Sequence, residues 1–212
     1  MSVPALLAAV LALAPAQSLA PDSSLAESLV KRIESRHAAT EDLVGRFVQS
    51  YRSGLLGREL VERGIVSIKR PGRMRWEYKE PEEKLFVSDG KTFYFYVPED
   101  RQVIVQQQDE QRSLAARLLF GRAGLLEEFE ATMDEPWEEG VLRVRLTPRG
   151  ESAELERAFI DLEPNGLVRA ILLEDIQGNR TQFRFEELRE NTGLSDGLFH
   201  FQIPSGVEVI RG

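Results

Sequence analysis

The chain has 212 residues, 42% of them hydrophobic, with a formal net charge of −8 at pH 7, a pI near 5.0 and no cysteine. That length and apolar content suffice for one full core, and the acidic balance argues against nucleic acid, which calls for a concentrated basic surface. Without cysteine the fold is expected to hold by burial rather than by disulfides. It also lacks the Cys on which a bacterial lipoprotein carries its acyl chains, so the mature chain is expected to be unanchored.

Residues 1–20 contain no charged side chain, and Val3 to Leu13 is an apolar run too short to span a bilayer. The stretch reads as a signal peptide over 1–16, with Ala14-Pro15-Ala16 as the small-residue cleavage pattern and a cut as late as 20 as the poorer option. Residues 17–212 then form a single domain. Ser24 and Glu27 make a capping box ahead of Leu25, Leu29, Val30 and Ile33, whose spacing predicts a helix of about four turns ending near Arg36 to Ala39.

After that helix the pattern becomes β. Strands are expected over Leu43 to Tyr51, Glu59 to Lys69, Arg73 to Tyr78, Leu85 to Ser88, Thr92 to Val97 and Gln102 to Gln106. Ser113, Leu114, Ala115, Leu118 and Leu119 then recur at helical spacing, and Leu125, Leu126 and Phe129 suggest a second helical turn after Gly121 and Gly124. Strands resume at Val141 to Leu146, Ala158 to Leu162, Leu167 to Ile176, Arg180 to Leu188 and Leu198 to Ile203, with turns at Pro164-Asn165-Gly166 and Gln177-Gly178-Asn179. About eleven short antiparallel strands interrupted by helix argue a barrel or strongly curved sheet, because a flat sheet of that size would expose its edges.

Seven aromatic residues fall between Ile68 and Val97. Met74, Trp76 and Tyr78 alternate with Arg73, Arg75 and Glu77, and Asp89-Gly90 between two β-rich runs predicts a type I′ hairpin. In that register Phe86 faces Phe93 and Leu85 faces Tyr94, so both faces of the hairpin are apolar. One face can serve a core. The other must meet a second layer or line a cavity, and parity alone does not say which is which.

Groups for catalysis are sparse. His37 and His200 are the two histidines, and neither has a second His or Cys at metal-ligand spacing, so helix-end and strand-surface positions are expected for them. There is no phosphate-cradling glycine loop, nucleophile elbow or metalloprotease helix motif, and the carboxylate runs Glu80, Glu82, Glu83 and Glu135, Glu138, Glu139 read as solvated loops. Arg143, Arg145, Arg169 and Arg184 read as solvated strand faces. No catalytic residue, metal or cofactor is expected, and the chain is not read as an enzyme.

Phe47 with Gln49, Lys69-Arg70-Pro71, Trp76, Val87-Ser88-Asp89-Gly90-Lys91-Thr92 and Phe95-Tyr96 together resemble the outer-membrane lipoprotein carrier family, the periplasmic LolA proteins. Weaker echoes continue in Leu146-Thr147-Pro148 and in Phe201, Pro204, Gly206, Val207 and Val209. The resemblance implies a mainly β fold with helices: a half-closed antiparallel barrel with a helical lid over its concave face. It also implies a periplasmic, monomeric carrier that holds the acyl chains of lipoproteins in an apolar cavity. Its partners would be acylated lipoproteins, an inner-membrane lipoprotein-releasing transporter and an outer-membrane receptor.

On that reading Phe47, Met74, Trp76, Phe86, Phe93 and Phe95 line the cavity, Leu114, Leu118, Leu119 and Phe129 form the lid, and Arg70 latches the lid through helix-end carbonyls. Met74 stands where the family has an aromatic, a place a flexible thioether can fill. The alternative is a periplasmic lipid- or lipoprotein-sensing module of the same fold.

Overall fold

Period-two patterning becomes one large sheet. The computed structural model describes residues 23–107, 114–120, 124–150 and 155–212, so the expected signal segment, Ser113 and Gly121 lie outside the described residues. The chain runs α1 (Ser23–Ala39), β1 (Asp42–Arg52), β2 (Glu59–Lys69), β3 (Arg73–Glu80), β4 (Lys84–Asp89), β5 (Thr92–Val97) and β6 (Gln102–Gln107). It continues with α2 (Leu114–Phe120), α3 (Leu125–Glu128), β7 (Phe129–Asp134), β8 (Leu142–Pro148), β9 (Leu155–Leu162), β10 (Val168–Asp175), β11 (Arg180–Glu190), a 3-10 turn (Asp196–Phe199) and β12 (Glu208–Arg211).

The twelve described strands lie in the order β12-β6-β5-β4-β3-β2-β1-β11-β10-β9-β8-β7. All neighbours are antiparallel except β12, which runs parallel to β6. The β1–β11 pairing joins the two halves of the chain, with Phe47 opposite Phe185 and Gln49 opposite Phe183. Cross-strand partners carry one face along the sheet: Val144 opposite Ile160, Ile160 opposite Ile171, Ile171 opposite Phe183, then Val66 opposite Trp76 and Trp76 opposite Phe86. This is the inner face, and the helices lie on it. Ala26, Leu29, Val30 and Ile33 of α1 and Leu118 and Leu119 of α2 are buried in the same cluster as Val144, Leu146, Ile160, Leu162 and Ile171. Leu25, expected in the apolar stripe, is instead 43% exposed, and Ala26 takes the buried position.

The second apolar face of the hairpin is covered by the chain's own end. Asp42 accepts hydrogen bonds from Thr192, Gly193 and Leu194 backbone N–H groups and roots the segment that follows. Lys69 and Arg73 pair with Asp196, and Arg75 donates to the Leu198 carbonyl. Phe199 is fully buried, and the Phe201 ring packs 5.4 Å from Tyr94 and 5.5 Å from Tyr96. The expected strand Leu198 to Ile203 is therefore a strap. Ser195 caps a 3-10 turn there, and Phe201 packs with tilted rings on Tyr94 and Tyr96 of the sheet's face instead of joining its edge.

Three further expectations change. Phe129 opens β7 rather than closing a helix, so the helical turn after Gly124 is only Leu125–Glu128. The β4–β5 register places Phe86 opposite Phe95 and Leu85 opposite Tyr96, two residues from the expected pairing, because Asp89 accepts from Lys91 and Thr92 N–H groups and moves the turn centre to Gly90-Lys91. A two-residue shift keeps every side chain on its expected face. Finally, Arg143 is not solvated: it forks onto the fully buried Asp161 at 2.7 and 2.8 Å, while Arg184 stacks 3.8 Å over the Trp137 ring.

Candidate functional site

The inner face of β1–β5 carries a connected run of aromatic rings. Phe47 lies 5.0 Å from Trp76 and 4.9 Å from Tyr78, both edge-on; Trp76 reaches Phe183 at 5.5 Å, and Tyr78 reaches Phe86 at 5.5 Å. Phe86 stacks on Phe95 at 4.3 Å and meets Phe93 at 5.9 Å. Edge-on and offset pairs add to burial through the ring quadrupoles, so the run behaves as one wall. Phe47 can lie over the sheet because its cross-strand partner is Gly64, where a Cβ would sit 2.8 Å from the ring and 2.0 Å from the Glu77 carbonyl oxygen.

All six residues expected to line a cavity thus share this face. Phe47 and Trp76 are buried, Met74 and Phe86 are half-buried against the core, and Phe93 and Phe95 are half-exposed beyond it. A polar rim follows at the end nearest the β1–β2 turn. Tyr78 Oη donates to Gln49 Oε1 at 2.6 Å, and Lys84 pairs with the buried Glu62 at 2.6 Å. Burial, with the Glu62 carboxylate beside it, pushes the Tyr78 phenol well up, so it remains a donor.

Of the expected lid residues, Leu118 and Leu119 are buried under α2, Leu114 is half-buried against the core, and Phe129 contributes from the first position of β7. The largest covering element is α1, which packs on β7 and β8. Over β7, β8 and β10 the concave side is occupied by the helices' own side chains, and a space of about 10 Å³ lies at the junction of α1 and α2, bounded by His37, Leu43, Leu119 and Val168. The helices close over this half of the inner face.

Charged groups tie that lid at one end. Arg70 Nη2 donates to the His37 carbonyl at 2.8 Å and Nε to the Thr40 carbonyl at 3.1 Å, two acceptors at the C-terminal end of α1. Arg36 forks onto Glu190 at 2.8 and 2.7 Å, and Arg32 donates to the Pro164 carbonyl. Glu34 accepts from Gly124 and Leu125 N–H groups at 2.8 and 2.9 Å, capping α3 from α1. His37 stands at the helix end as expected, and it is 5% exposed. Burial first, and the adjacent Arg70 and Arg36 charges second, lower its pKa to about 4, against a hydrogen bond to the Leu119 backbone of α2. Sequence reasoning misses the roles of Arg36, Glu34 and His37 because polar positions on an exposed-looking helix face carry no signal of their partners.

The fold and this face define a half-open β-barrel whose apolar concavity is closed by helices. The family model described as outer membrane lipoprotein carrier protein LolA matches residues 38–202. An outer-membrane lipoprotein carrier protein of Alkalilimnicola ehrlichii is 39% identical over 178 residues, 80% of this chain and 77% of the relative; that of Bordetella avium is 31% identical over 92% of each. Among solved structures, an uncharacterized conserved protein of Thermus thermophilus superposes with a TM-score of 0.57 at 15% identity over 89% of this chain and 99% of its own. MucB superposes at 0.54 and 16% identity, over 90% of this chain and 67% of MucB; these two likenesses speak to the fold alone. The chain belongs to the outer membrane lipoprotein carrier family.

Proposed function

We propose that this protein carries acylated lipoproteins through the periplasm, receiving them from an inner-membrane releasing transporter and passing them to an outer-membrane acceptor. The observation that carries the reading is the division of the inner face: α1 and α2 pack leucine, valine and isoleucine side chains over β7, β8 and β10, beside an aromatic wall that stays half-covered on β3 to β5. Three acyl chains of roughly fifteen methylenes each would cost on the order of 35 kcal/mol to expose to water. A carrier must cover them. It must also avoid an empty apolar hollow, which is destabilising in proportion to its volume. Helices that fill the hollow and yield to cargo meet both demands, and their re-closure sets the bias towards release.

Phe47, Met74, Trp76, Phe86, Phe93 and Phe95 would form the acyl-facing wall, and Leu114, Leu118, Leu119 and Phe129 the contacts displaced on loading. Arg70 would hold the closed state by its bonds to α1. The sensing alternative shares the fold, but the relatives at 31% and 39% identity bear the carrier description. Purified mature protein incubated with energised inner-membrane vesicles is expected to draw a lipoprotein into a soluble one-to-one complex. Retention of all cargo in the membrane pellet would overturn the reading, and unchanged apolar-dye binding by Trp76→Glu would remove Trp76 from the wall.

A further inference from the structure

The three most exposed large apolar side chains among the described residues sit together at one end of the barrel. Leu55 is 90% exposed and Leu56 68%, both at the β1–β2 turn, and Ile176 is 59% exposed in the β10–β11 turn. The two turns touch: Gly54 N donates to Asn179 Oδ1 at 3.1 Å, and a Cβ on Gly54 would meet the Gly178 carbonyl oxygen at 2.6 Å. Tyr51 and Leu60, cross-strand partners just below the tip, are also exposed.

This tip is built rather than loose. Ser53 N donates to the Arg58 carbonyl, Gly57 N to the Ser53 carbonyl, and Leu56 N to Ser53 Oγ, with Gly57 at φ +61. These bonds hold both leucines outward, a position in which they contribute nothing to the core and which water disfavours. The tip segment itself is basic. The segment Arg52 to Arg58 holds two arginines and no acid in a chain whose net charge is −8, with Glu59 next in sequence and Asp175 and Arg180 on either side of the neighbouring turn. Arg52, Glu156, Arg157, Glu174 and Arg180 line a cleft of about 300 Å³ directly beside the tip, in which Glu174 is paired to Arg157 and Arg180. An apolar point flanked by Arg52 and Arg58 fits an interface of acyl boundary and anionic headgroups.

We propose that the β1–β2 tip is a membrane-touching element, in which Leu55 and Leu56 enter the headgroup layer of an anionic phospholipid bilayer while Arg52 and Arg58 engage its phosphates. The tip and the polar rim at Gln49, Glu62, Tyr78 and Lys84 belong to the same end of β1 and β2, so touching there presents that end of the aromatic wall to the bilayer. The contact is independent of whether the concavity carries lipoprotein. It is shallow and reversible, since two side chains make a weak anchor.

The test uses the absence of native cysteine. Mature protein with Leu56→Cys carrying an environment-sensitive fluorophore is mixed with vesicles of phosphatidylethanolamine and phosphatidylglycerol. A blue shift is expected that fades in about 0.5 M salt and on purely zwitterionic vesicles, with each of Arg52→Gln and Arg58→Gln lowering partitioning about fivefold. Leu55→Ser/Leu56→Ser should abolish flotation with vesicles while leaving apolar-dye binding in the concavity unchanged, which separates this contact from the carrier reading. An unshifted label, flotation that survives the double substitution, or a shift that needs a membrane protein in the vesicles would each overturn the proposal.

Discussion

The two ends of the curved sheet are finished differently. On β8 to β10 the inner-face residues Val144, Leu146, Ile160, Leu162 and Ile171 are fully buried under α1 and α2. On β3 to β5 the corresponding residues Met74, Phe86, Phe93 and Phe95 are only half-covered. One half is a core in the ordinary sense, stabilised by burial at about 25 cal/mol per Å². The other is a prepared surface, aromatic and rigid, left partly open beside helices anchored mainly on the first half. The contrast suggests how a lid can leave without unfolding the barrel: the sheet's hydrogen bonds run continuously beneath both halves, whereas the helices meet them through side chains alone.

Substitution in the two halves should separate stability from binding. Ile160→Ala, in the covered half, should lower unfolding free energy by about 2–5 kcal/mol in urea titrations, with acyl-probe affinity little changed once the protein is folded. Phe95→Ala should do the reverse, with a smaller stability loss and a clear fall in probe affinity. Equal stability losses at the two sites would erase the distinction between core and prepared surface.

The junction of the helices should respond to acid. His37 has its pKa depressed to about 4 in the folded state, below its unfolded value near 6.5. Between these values the unfolded state binds more protons than the folded one, so stability is full above about pH 6.5 and falls as pH drops towards 4, by at most about 3 kcal/mol. His37→Gln should flatten that segment of the stability-against-pH curve. A slope that survives the substitution would assign the acid response to another group.

Arg70→Leu should have the smallest effect on global stability and the most selective one on the lid. Removing the donors leaves the His37 and Thr40 carbonyls without these bonds in the closed form, a cost of about 1–3 kcal/mol. Apparent affinity for an acyl probe should then rise about five- to a hundredfold, and transfer of cargo to acceptor membranes should slow. Arg36→Gln, which removes the fork to Glu190, should act in the same direction and show that the latch is shared.

Much of this architecture is legible in the sequence because alternation is a strong local signal. The strands Glu59–Lys69 and Thr92–Val97 have the bounds their patterning predicts, and the expected cavity residues share one face because a period of two leaves no other choice. Where the reading fails, distant partners decide. Phe129 looks helical from its neighbours, yet it pairs with Pro148 on β8. Phe199 and Phe201 look like a strand, yet Phe199 is buried beneath the strap and Phe201 covers Tyr94 and Tyr96 across the sheet. The Arg70 contact with helix-end carbonyls follows from the family resemblance, whereas the Arg36–Glu190 and Glu34–Leu125 ties join positions 154 and 91 residues apart and have no local signature.

The carrier reading requires that the helices move off the inner face when cargo covers the wall. Hydrogen exchange on the protein with and without a bound acylated lipoprotein measures this directly. Amides of α1 and α2 should lose protection on loading while those of β8 to β10 keep theirs. Cargo bound with α1 and α2 as protected as in the free protein would contradict it.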